Sequence, residues 1–89
     1  APTAPTAPSS AKPTLADARA AWDRGDAATA FALATRVYAS APSPDAAEVA
    51  TLAACQRGRT SDARTWFKRS PLLRRKQLRA ACKADGVDL

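Results

Sequence analysis

Ala20-Ala21-Trp22-Asp23-Arg24-Gly25 returns thirty-three residues later as Ala53-Ala54-Cys55-Gln56-Arg57-Gly58. Five residues beyond the two glycines stand Ala30 and Ala63, and nine beyond stand Ala34 and Phe67. A shorter third echo closes the chain as Ala80-Ala81-Cys82-Lys83-Ala84-Asp85-Gly86. Each copy runs from good helix formers into a glycine, the residue that most readily takes the left-handed conformation at a helix C-terminus. The repeated stretch therefore reads as one helix corner used several times.

Around these corners the punctuation is regular. Thr14 with Asp17 three residues on makes a capping-box start for a first helix through Arg24, with Leu15, Ala18 and Trp22 on one face. Asp26 caps a second helix to about Ser40, its apolar side formed by Ala30, Phe31, Leu33, Ala34, Val37 and Tyr38. Pro42 and Pro44 forbid continuation. Ser43-Pro44 opens a third helix through Arg57, with Ala46, Val49, Ala50, Leu52, Ala53 and Cys55 available for packing. Thr60 or Ser61 is expected to cap a short fourth helix containing Ala63, Trp66 and Phe67. Ser70-Pro71 repeats the Ser-Pro start and predicts a fifth helix with Leu72, Leu73, Leu78, Ala81 and Cys82 on its apolar side. Gly86 reads as its left-handed cap, with Val87 folding back onto Ala81 or Cys82. The expected fold class is all-α, about five antiparallel helices with no strand.

Composition agrees. Of 89 residues 24 are Ala, a strong helix former and a poor strand former. Residues 1–13 hold four of the seven prolines and no large apolar side chain. Such a segment cannot offset its ordering entropy by burial, so it reads as a flexible linker ahead of a domain over residues 14–89. There is no Met, as expected of a processed chain or a fragment. No stretch approaches the ~20 apolar residues needed to span a bilayer. There is also no His, which removes the usual catalytic base and the commonest metal ligand. The acidic residues are few, scattered and not paired at a recognisable spacing. No enzyme activity, cofactor or metal is expected. The two cysteines lack the CxxC spacing of a zinc site.

Charge is unevenly placed. Residues 1–56 carry four basic and five acidic groups, whereas residues 57–89 carry ten basic and three acidic. The excess suits an acidic protein, an anionic surface or nucleic acid. Nucleic-acid binding through the C-terminal helix, at Arg74, Arg75, Lys76, Arg79 and Lys83, is the rival to a protein partner, without a recognised motif in its support. Docking of the same helix on anionic lipid is a third reading, limited by a short apolar face.

A period of 33 with two helices per unit resembles the tetratricopeptide repeat. Gly25, Ala30 and Pro42 match the second helix of such a unit, with Ala34 where the family has an aromatic. Gly58, Ala63 and Phe67 match in the next unit, whose proline comes early, at Pro71. The resemblance covers residues 14–86 and implies two helix-turn-helix units plus a C-terminal capping helix. It also implies a concave face built from the first helix of each unit. Arg19 and Trp22 would stand there beside Glu48, Leu52 and Gln56, with Lys76, Arg79 and Lys83 added by the fifth helix. Such a groove accepts a peptide or a partner helix, with Trp22 as anchor and the cations selecting acidic partners. The chaperone-binding members hold a terminal carboxylate with Asn and Lys; this chain has no Asn, and that role is not expected.

The ending from Leu72 to Leu89 is similar to the C-terminal ends of tetratricopeptide-like modules in large high-GC bacterial proteins, notably myxobacterial kinases and envelope proteins. It implies a helical module set apart by an Ala/Pro linker from the rest of a bacterial parent; separately, the module is expected to be monomeric. Cys55 and Cys82 share the Ala-Ala-Cys echo and either bridge, which would favour an extracytoplasmic setting, or remain buried thiols.

Overall fold

The computed structural model describes residues 13–89, so the linker expected over residues 1–13 lies outside them except for Pro13. Five α-helices follow in order: α1 (Leu15–Asp23), α2 (Ala27–Ser40), α3 (Pro44–Gln56), α4 (Thr60–Phe67) and α5 (Arg75–Ala84). A single 3-10 turn, Leu72–Arg74, leads directly into α5, and no strand occurs among the described residues.

The starts follow from side chains that satisfy orphan amides. Thr14 and Asp17 form a reciprocal capping box, with the Thr14 amide 2.9 Å from Asp17 Oδ2 and the Asp17 amide 3.2 Å from Thr14 Oγ1. Asp26 accepts from the Thr29 amide, and Ser43 from the Ala46 amide with Pro44 in the first turn.

The ends are three copies of one geometry. Gly25, Gly58 and Gly86 have φ of 80°, 72° and 84°. Each glycine amide donates to the carbonyl three residues back (Trp22, Cys55, Lys83). The following amide donates to the carbonyl five back (Ala21, Ala54, Cys82). This is the paired bond of a Schellman motif, which satisfies carbonyls that a helix end leaves free. Measured from its glycine, Cys82 therefore stands where Ala21 and Ala54 stand, one place off from Cys55.

Helix α3 is the centre of the molecule and packs on α1, α2, α4 and α5. Nine of its 13 residues are buried, five of them Ala, so neighbouring backbones can approach from every side. A core this rich in small side chains removes little apolar area per residue. The ordering cost must be met in part by caps and cross-links. One such link is present: Cys55 and Cys82 are bridged, with Cα atoms 5.1 Å apart, and bury against Ala54, Ala63 and Val87. The Val87 amide bonds the Cys82 carbonyl at 2.8 Å, so the expected fold-back of Val87 is present.

Two expected starts are corrected. Neither Thr60 nor Ser61 caps α4. Arg59 occupies that position with no side-chain cap, because the Schellman corner places the residue after Gly58 at the cap, where Asp26 stands after Gly25, and an arginine has no acceptor to offer. Ser70 does not open α5. Its hydroxyl is buried, donates to the Trp66 carbonyl at 3.0 Å and meets Thr51 Oγ1 at 3.2 Å, so it closes α4 and pins α4 to α3. Pro71 is consequently extended and the chain makes a 3-10 turn before α5. Leu72 and Leu73, expected in the core, ride on that turn with 74% and 95% of their surface exposed. The apolar side of α5 is Leu78 and Cys82.

Candidate functional site

Because α1 and α3 lie side by side, their outward faces form the floor of a groove of about 560 Å³. Helical spacing explains its lining. Arg19, Trp22 and Asp23 succeed one another on α1, and Asp45, Glu48, Val49 and Leu52 on α3, at intervals of three and four residues. The 3-10 turn supplies the far wall with Pro71, Leu73 and Arg74. The apolar surface is thus Trp22, Val49, Leu52, Pro71 and Leu73, framed by three carboxylates and two guanidinium groups.

Trp22 is half-buried, one side packed on the cluster of Ala18, Ala21, Val49, Ala50 and Ala53 and the other lining the groove. Glu48 is almost wholly buried along the α3 floor, and its carboxylate takes a hydrogen bond from Arg74 Nη2 at 2.8 Å. A buried carboxylate is tolerated only when paired. The pairing also fixes the 3-10 turn against α3 and so sets the width of the groove.

Of the residues expected at the site, the structure brings together Arg19, Trp22, Glu48 and Leu52. Gln56, Lys76, Arg79 and Lys83 are exposed but stand outside the lining. The reason lies in the corner positions. Three residues before Gly25 is Trp22, whereas three before Gly58 is Cys55. Between α3 and α5 lies the buried disulfide, packed with Ala54, Ala63 and Val87. Arg79, together with Arg75, instead lays its guanidinium over the Phe67 ring at 5.4 Å and 5.5 Å. Pro71, Leu73 and Arg74 were missed as lining residues because the Ser-Pro pair reads as a helix start, which would turn Leu72 and Leu73 inward.

Trp66 lies away from the groove. Its ring meets Tyr38 edge to face at 5.0 Å, and Arg69 lies 4.7 Å above it, a packed aromatic cluster between α2 and α4. No group of His, Cys, Asp and Glu suited to hold a metal occurs among the described residues. No helix among them is long and apolar enough to cross a membrane.

Asp26 stands at the first corner, as the N-cap of α2. The hydrogen bonds from the Thr29 side chain and amide hold its carboxyl below the ordinary 3.8.

Compared with protein-family models, curated proteins and solved structures, the chain finds no match.

Proposed function

We propose that this domain is a non-catalytic interaction module, tetratricopeptide-like in its stacking of α1–α2 and α3–α4 hairpins with α5 as cap, that binds a peptide or partner helix along the α1–α3 groove. The observation that carries this reading is the arrangement at Trp22. A large aromatic is held rigidly by the core on one side and offered to solvent on the other, at the centre of a mixed apolar and charged trough. Rigid aromatic anchors with a polar rim are what short-segment recognition uses, because little side-chain entropy is lost on binding.

The matching Schellman corners at Gly25 and Gly58, one 33-residue period apart, support the repeat reading, since one local structure at each period is what stacked hairpins require; the third, at Gly86, closes the capping helix after a shorter spacing. The charges on the groove itself are Asp23, Asp45 and Glu48 against Arg19 and Arg74. With Glu48 and Arg74 paired to each other, the groove favours a segment of mixed or basic character, and selection of acidic partners by α5 falls away from this surface. The bridge between Cys55 and Cys82 favours an extracytoplasmic setting within a larger bacterial protein.

The test uses a random peptide library displayed on phage and panned against the 89-residue chain. Enriched peptides should lose at least about ten-fold in affinity with Trp22→Ala and with Leu52→Ala, since truncating a central anchor typically has that effect. Enriched peptides that bind both variants as tightly as the parent would remove the groove from the function.

A further inference from the structure

Leu72 and Leu73 are the large apolar side chains most exposed to water among the described residues. They sit side by side on a single 3-10 turn, so the exposure is one patch rather than scattered surface. The chain around them is exceptional in charge. Residues 64–84 contain eight Lys and Arg and no carboxylate. Among the described residues only Arg74 of these eight is paired with a carboxylate, Glu48. Beyond the turn, Lys76, Ala80 and Lys83 follow at helical spacing on the exposed side of α5, while Leu78 and Cys82 hold its opposite side to the core. The disulfide locks that orientation by tying α5 to α3.

We propose that the Leu72–Leu73 turn and the lysines on α5 dock the protein onto the surface of an anionic bilayer. Two leucines on a protruding turn fit the boundary between headgroups and acyl chains, where burial of aliphatic surface is favourable. Lys76 and Lys83 reach phosphate and carboxylate headgroups on long stems while their helix stays at the interface. Nucleic acid answers the charge but leaves both leucines in water, and that mismatch is why lipid is favoured. The protein would lie on the membrane rather than cross it, in keeping with the lengths of its described helices. The surface is distinct from the α1–α3 groove except at Leu73, which forms the shared edge.

Sedimentation of the 89-residue chain with phosphatidylcholine vesicles, with and without phosphatidylserine, tests this. Binding is expected only with phosphatidylserine, falling as salt rises. Leu72→Ser with Leu73→Ser should reduce partitioning on the order of ten-fold. Lys76→Glu with Lys83→Glu should reduce it by at least about ten-fold. Trp22→Ala should leave it unchanged, which separates this surface from the groove. Unaltered far-UV circular dichroism would confirm that the leucine variant is folded. Absence of binding to phosphatidylserine vesicles at low salt would overturn the proposal. So would a folded double-serine variant that sediments like the parent, and equal affinity of parent and variant for a short DNA duplex would then assign the charge to nucleic acid.

Discussion

Glu48 and Arg74 meet at 2.8 Å across 26 residues of sequence, with Glu48 on the α3 floor of the groove and Arg74 at the end of the turn that forms its far wall. Arg74 keeps about half its side chain in water, so the pair is a clamp of modest strength rather than a buried ion pair. Glu48→Ala should destabilise the fold by about 1 kcal/mol and release the 3-10 turn. Chemical denaturation reads the first effect, and amide hydrogen exchange at Leu73 and Arg74 the second. Unchanged exchange there would show that the clamp does not set the groove.

The bridge between Cys55 and Cys82 closes a loop of 27 residues and should contribute about 3–4 kcal/mol through restriction of the unfolded chain. In a domain whose core is largely alanine that is a large share of the total. Cys55→Ala with Cys82→Ala should therefore lower the thermal midpoint by well over ten degrees, roughly 4–8 °C per kcal/mol for a domain of this size. Thiol titration of the unreduced, unfolded parent should find none free. Two reactive thiols, or a variant with the parent's midpoint, would contradict the assignment.

Gly58 has φ of 72° and a Cβ placed on it would meet no atom within 4 Å. Gly58→Ala therefore isolates the cost of the left-handed backbone, about 1–2 kcal/mol. Gly25, with φ of 80° and equally open surroundings, should give the same value. Unequal losses in urea denaturation would mean that the two corners are not equivalent in energy.

Leu73 and Leu78 stand five residues apart with opposite fates. Leu78→Ala should cost about 2–4 kcal/mol because the side chain is fully buried, whereas Leu73→Ser should change stability by less than about 0.5 kcal/mol. A large loss at Leu73 would place it in the core after all.

Asp26 titrates below its ordinary value in the folded chain because Thr29 hydrogen-bonds the ionised form. Its contribution to stability is therefore present above the unfolded carboxylate pKa and lost as pH falls through the lower, folded value. Asp26→Asn keeps a capping side chain but cannot titrate. Its stability should fall less steeply than the parent's as pH drops below about 4. Parallel curves would contradict the linkage.

Helix corners were legible because glycines, Ser-Pro pairs and capping side chains act over three to five residues. Thr14, Asp26 and Ser43 each do what their local spacing implies. Ser70 was not legible in the same way. Its local pattern matches Ser43, but its hydroxyl is taken by Trp66 and Thr51, the latter 19 residues away, and a contact at that separation leaves no periodic trace. The same correction reshaped the site. Arg19, Trp22, Glu48 and Leu52 were placed by the register that the tetratricopeptide resemblance implies, whereas Pro71, Leu73 and Arg74 depend on how the Ser70 turn closes.

The most direct test of the α1–α3 groove is amide chemical-shift mapping of the 89-residue chain, titrated with a peptide from the phage selection. The expected result is that the largest shifts fall on Arg19, Trp22, Asp23, Val49, Leu52 and Leu73, with α4 and the C-terminal half of α5 little changed. Largest shifts on α4 and α5, with Trp22 and Leu52 silent, would contradict it.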